Sequence, residues 1–92
     1  MSASAEILRD LRIALLRELY RVQPRGRTAK SLQQIVHAEV DCVIADVTAQ
    51  LEFLRGENRV ERLPDDELSP GLEPFWKITS AGMKFCEARH IV

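Results

Sequence analysis

The side chains of this sequence that could do chemistry are few: two histidines (His37, His90), two cysteines (Cys42, Cys86) and an acidic run, Asp65-Asp66-Glu67. No Ser or Cys stands in a motif that would supply a base and an oxyanion site. Neither a G-x-x-x-x-G-K phosphate cradle nor a G-x-G-x-x-G turn is present. His37, Cys42 and either Cys86 or His90 are the soft ligands a metal would find. Zinc takes four ligands in tight geometry, and their spacing matches no zinc motif. Both histidines fall at the ends of expected helices, where an imidazole satisfies carbonyls and the helix dipole. The cysteines lack C-x-x-C spacing and read as free, small apolar groups. Asp65-Asp66-Glu67 lacks the ligand pattern of a calcium loop and reads as a solvated turn. These residues predict no catalytic site, no metal and no cofactor, so the chain is read as a non-enzyme.

The elements that carry these side chains follow from apolar spacing. Ser4 is placed to cap a first helix, with Glu6 in its opening turn. Leu8, Leu11, Leu15, Leu19 and Val22 form one stripe of that helix, and Ile13, Leu16 and Tyr20 a second. Pro24 and Gly26 end it. Thr28 caps a second helix over 28–38, with Leu32, Ile35 and Val36 inward. Glu39 and Val40 break it, and Asp41 is expected to cap a third helix over 41–56. The inward stripe there is Val43, Ile44, Val47, Leu51 and Leu54, with Gly56 and Asn58 as the left-handed stop. Residues 59–63 and 75–78 read as strands flanking an exposed loop at 64–71. Trp76 and Ile78 share one side by the period of two, and the pair Phe75-Trp76 reads as core. Thr79 caps a last helix over 79–89.

Ninety-two residues with 46% hydrophobic and 29% charged content make one globular domain, 1–92, near the lower size limit for a self-sufficient core. A core that small gains from pairing with a copy of itself. The second stripe of the first helix, Ile13, Leu16 and Tyr20, together with Met83 and Phe85 of the last, is the expected homodimer interface. No apolar run approaches the roughly 20 residues of a membrane span, and the N-terminus lacks the regions of a signal peptide; a cytoplasmic location is expected. The net charge of −1 conceals segregation. Residues 1–30 carry a net of +4, residues 31–54 a net of −4 with no Lys or Arg, and residues 55–92 a net of −1.

The order of helix, helix, strand, polar tip, strand and a capped last helix resembles the winged helix-turn-helix superfamily, in the style of small bacterial MarR-, PadR- and ArsR-like regulators. The stretches carrying the likeness are the break at Ala38-Glu39-Val40, "DVTAQLEFLRGENRVERL" and "FWKITSAGMKFCEA". Asn58-Arg59-Val60 departs from the Gly-Leu-Val common after the third helix. More faintly, the length, the Thr-x-x-Gly helix and the abrupt end look like small winged-helix proteins of Mu-like prophages. The fold implied is α+β and mainly helical: three helices, a two-stranded wing hairpin over 59–78 and a C-terminal helix.

The resemblance implies a transcriptional regulator whose third helix enters the major groove of double-stranded DNA. Thr48 and Gln50 would then contact bases, and Arg25, Arg27, Lys30, Arg55, Arg59 and Arg62 phosphates. The third helix nevertheless offers Asp41, Asp46 and Glu52 and no cation before Arg55, which opposes counterion-driven binding. The alternative is a protein-docking module, of phage or prophage type, that meets a partner through this acidic helix and binds no DNA. Its basis is the same charge map, the +4 and −4 blocks being complementary between copies or with a partner.

Overall fold

The structure, a computed structural model, describes residues 4–63 and 73–92. The acidic loop expected at 64–71 lies outside the described residues. The first helix, α1 (Ala5–Val22), starts where Ser4 Oγ accepts from the Ile7 amide at 3.2 Å. It stops at Gln23, whose ψ of 146° is the extended geometry demanded by a following proline. Leu11, Leu15, Leu16 and Leu19 are all buried, so its two apolar stripes merge into one broad face.

Two residues then form a strand the sequence did not announce, β1 (Arg27–Thr28). Thr28 serves twice, since its hydroxyl also accepts from the Ser31 amide at 3.1 Å and caps α2 (Ala29–Val36). The third helix, α3 (Ile44–Gly56), begins later than expected. Asp41 is not its cap. Val43 holds that position, and its own amide donates to Asp46 Oδ2 at 3.3 Å, three residues on. Asp41 instead lies 3.1 Å from His37 Nε2 across the connection between the helices.

The strands β2 (Val60–Leu63) and β3 (Phe75–Ile78) pair antiparallel, with Val60 opposite Ile78 and Leu63 opposite Phe75. β1 pairs on the other edge of β3, Arg27 opposite Trp76 and Thr28 opposite Phe75. The expected two-stranded wing is therefore a three-stranded sheet in the order β1-β3-β2. Gly26 allows the close approach: a Cβ there would sit 2.8 Å from the Trp76 carbonyl oxygen. Trp76 and Ile78 point into the core formed by α1, α2 and α3, as the period of two predicts. Phe75 does not; it is about half exposed at the sheet's outer face.

The wing is fixed to the helices at one corner. α3 ends in a Schellman arrangement, with the Asn58 amide donating to Arg55 O at 3.0 Å and the Arg59 amide to Leu54 O at 2.9 Å. Asn58 is the left-handed residue, φ 61°, while Gly56 stays within the helix. The same corner receives the start of α4 (Ser80–Ala88). Thr79 donates its hydroxyl to Asn58 O at 2.6 Å and its amide to Arg59 O at 3.1 Å, while Thr79 Oγ1 accepts from the Gly82 amide at 3.0 Å. A Cβ on Gly82 would collide with Arg59 O, so the Thr-x-x-Gly pattern records a backbone contact as well as a cap. α4 closes with a second Schellman arrangement, His90 left-handed at φ 56° and the Ile91 amide donating to Cys86 O at 2.9 Å. His90 thus serves this helix end through its backbone.

Gly82→Ala is expected to lower unfolding stability by about 2–4 kcal/mol, because backbone rather than a flexible side chain must move. Asn58→Ala should cost about 1 kcal/mol and Asn58→Gly almost nothing. Urea denaturation measures all three; an unchanged midpoint for Gly82→Ala would show that α4 does not rest on the Arg59 carbonyl.

Candidate nucleic-acid interface

α3 turns Val47, Gln50, Leu51 and Leu54 inward, the i, i+3, i+4, i+7 set of a helix face. Val43 and Ile44, expected to continue that stripe, are exposed because the helix starts only at Ile44 and this end overhangs the core. Gln50 is 8% exposed and its Oε1 accepts from Arg12 Nη1 at 2.8 Å. This corrects the expectation that Gln50 projects toward bases. Thr48 does project outward, with Ala45, Ala49 and Glu52 also exposed. The outer surface of α3 is thus lined mainly by small side chains.

The six cations expected at phosphates divide into two groups. Arg27 is half-buried, its Nε donating to Glu18 Oε2 at 2.8 Å and its Nη1 to Ser31 Oγ at 3.4 Å. Arg55 and Arg62 converge on Glu52, at 3.2 and 3.6 Å. Arg59 stacks on the Phe85 ring, 3.5 Å from its centroid, and lies 3.9 Å from Glu57. Arg25 and Lys30 are exposed at the start of α2, and neither has an ion-pair partner among the described residues. Four of the six therefore have structural work within the chain, and two are disposed to meet an external anion.

The acids are also largely matched from within. Glu52 holds two arginines, Asp46 completes the α3 N-terminus, and Glu39 of the acidic block accepts two hydrogen bonds from Arg17 of the basic block at 2.9 and 3.2 Å. The charge segregation read along the sequence is folded into contacts within one chain. Glu18 is the residue this reading missed. Buried within α1, it accepts from Arg21 at 2.9 and 2.7 Å and from Arg27. Hydrogen bonding from Arg21 holds its carboxyl below the usual glutamate range; burial opposes this, and Arg27 adds to it. The available signal was its position three residues after Leu15 and three before Arg21, a carboxylate on the buried side of α1 with a cation one turn on.

The remaining expected site residues scatter. Leu16 is fully buried and Ile13 and Phe85 half-buried along one groove, whereas Met83 lies on another face near Pro24 and Lys77. Tyr20 donates its hydroxyl to Glu87 Oε2 at 3.0 Å, tying α1 to α4, and this bond raises the phenol's pKa. Leu16, being buried, offers no surface of its own to a second copy. Cys42 and Cys86 are free and buried, and burial pushes both thiols up. No group of three His, Cys, Asp or Glu placed to hold a metal occurs among the described residues. No described helix is long and apolar enough to cross a membrane.

No protein-family model matches the chain, and no curated protein matches it in sequence. Among solved structures it is similar to that of SSV1 F-93, with a TM-score of 0.59 and 22% identity over 84% of this chain and 79% of that one. The fold is a winged helix, α+β and mainly helical. At this identity the likeness concerns architecture and selects none of the MarR-, PadR- or ArsR-like families.

Glu18→Gln is expected to destabilise the fold by about 1–3 kcal/mol, since two guanidinium groups lose a buried anion. Arg27→Ala should cost stability through the same contact, and the two losses should be less than additive in a double-mutant cycle. Because the folded carboxyl titrates lower than the unfolded one, its contribution is complete above the ordinary glutamate value. It is lost as pH falls through the lowered folded value. Thermal melts across that acid range should show a shallower decline for Glu18→Gln than for the parent chain; parallel curves would remove Glu18 from this role.

Proposed function

We propose that this chain is a DNA-binding winged-helix protein acting as a transcriptional regulator, with α3 in the major groove. The observation that carries the reading is the outer face of α3. Ala45, Thr48 and Ala49 are exposed and small, so the helix backbone can approach base edges closely, with the Thr48 hydroxyl as donor or acceptor. Glu52 lies on the same face, and the two arginines it holds reduce its repulsion toward phosphates. Arg25 and Lys30 supply phosphate contacts at the start of α2. In this reading the protein is cytoplasmic and non-enzymatic, and works as a homodimer on paired half-sites.

One feature favours the docking alternative: Val43 and Ile44 are exposed at the leading end of α3, where a DNA backbone would gain nothing from apolar surface. In that case the same end of α3 seats on an apolar patch of a protein partner.

Fluorescence anisotropy with mixed-sequence duplex at low salt separates the two. DNA binding predicts saturable association, weakened by Arg25→Ala and by Lys30→Ala. Each variant should lower the slope of log affinity against log salt by about 0.9. Thr48→Ala should change sequence preference while leaving that slope intact. Absence of any anisotropy change at low salt would reject the DNA reading and leave docking.

A further inference from the structure

We propose that the groove between α1, the end of α3 and α4 is a binding site for a small organic carboxylate with an apolar body. The groove encloses about 330 Å³, at the lower end of the size range of small-molecule sites. Its floor is apolar, with Leu16 and Leu54 fully buried and Ile13, Phe53 and Phe85 along the walls. Its rim is cationic. Arg9 and Arg12 come from α1, Arg59 from the corner after α3, and Arg89 from the end of α4.

The arginines are held by rings more than by acids. Arg59 stacks 3.5 Å from the Phe85 centroid, with Arg89 at 5.4 Å from the same ring, and Arg12 lies 4.7 Å from the Phe53 centroid. Among the described residues Glu57 is the one carboxylate lining the groove, and its 3.9 Å separation from Arg59 exceeds hydrogen-bond length. Arg12 donates to the neutral amide of Gln50, and Arg9 and Arg89 have no ion-pair partner among the described residues. Four guanidinium groups against one acid among the described residues leave a local excess of positive charge over an apolar floor. A guanidinium flattened on an aromatic face keeps its in-plane N–H edge free for a carboxylate, which it receives in bidentate fashion.

The chemistry selects among occupants. A second copy docking groove to groove about a two-fold axis would set one arginine rim against its own image. A nucleic-acid backbone would match the rim but leave the apolar floor wet. A carboxylate with a hydrocarbon body satisfies both parts, the head at the rim and the body over Ile13, Phe53 and Phe85. The proposal stands apart from the DNA reading; neither requires the other.

Titration calorimetry with decanoate, decanol and decylamine, all below micelle-forming concentration, tests it on the intact chain. The expected result is saturable decanoate binding at one per chain, with the amine and the alcohol much weaker. Arg89→Gln, an exposed position, should weaken decanoate binding by about tenfold. Phe53→Glu should abolish it by placing an anion at the groove mouth, and circular dichroism verifies that both variants fold. Equal affinity for all three ligands, no saturable decanoate binding, or unaltered binding in both variants would each overturn the assignment. It would also fall if sedimentation showed a dimer that Phe53→Glu dissolves, since a second copy would then fill the groove.

Discussion

The carbonyl of Arg59 is the point on which the arrangement of this molecule turns. It accepts from the Thr79 amide, and Gly82 lies so close that no side chain could intervene. Four elements meet there: the end of α3, the start of β2, the end of β3 and the first turn of α4. Asn58 makes the meeting geometrically available, because its left-handed backbone reverses the chain within one residue of the helix stop. Thr79 then uses its hydroxyl in both senses, donating to Asn58 O and accepting from Gly82. A wing attached at its tip alone could pivot; this one is held at its base to the end of the helix it accompanies.

Charge is organised by the same economy of local pairing. Arg27, Arg55 and Arg62 are taken up by Glu18 and Glu52, and Arg17 by Glu39. These pairs differ in weight. Arg17–Glu39 is exposed on both sides, and pairs of that kind contribute little. Glu18 is buried, so its two arginines decide whether that carboxylate can be accommodated at all. The local shape of α1 and β1 depends on the second kind of pair.

Much of this was legible in the sequence because it is written in short-range rules. Ser4, Thr28 and Thr79 each announce a helix start and each caps one, and Trp76 and Ile78 share a buried face because strands alternate. What escaped was nonlocal or compensated. β1 is two residues long and exists only because β3 offers it an edge, so no periodicity could reveal it. Gln50 is expected at base edges for its amide, although its spacing from Val47 sets it on the inward face; Arg12, 38 residues away, provides the partner that lets it be buried. Asp41 looked like a cap by residue type, yet Asp46 answers the same amide from inside the helix. Block-wise charge counts misled for a related reason, since ion pairs join residues across the boundaries of the blocks.

The placement of the arginines also bears on the proposed role of α3 as a reading helix. Thr48 and Phe53 are five residues apart, which at 100° per residue sets them about 140° apart around the helix. Thr48 borders the small-residue face, whereas Phe53 turns toward the arginine-rimmed groove. The densest positive charge therefore lies along the opposite flank of α3 from Thr48. A protein built for nonspecific attachment to DNA would surround the inserted helix with free cations, because counterion release supplies that affinity. Among the described residues the free cations near the front are few, the chain's net charge is −1, and the small side chains of α3 favour close contact over long-range attraction. In the proposed DNA reading, low salt lets the few free cations hold any duplex weakly, and discrimination among sequences rests on the fit of the small-residue face to groove shape and base pattern.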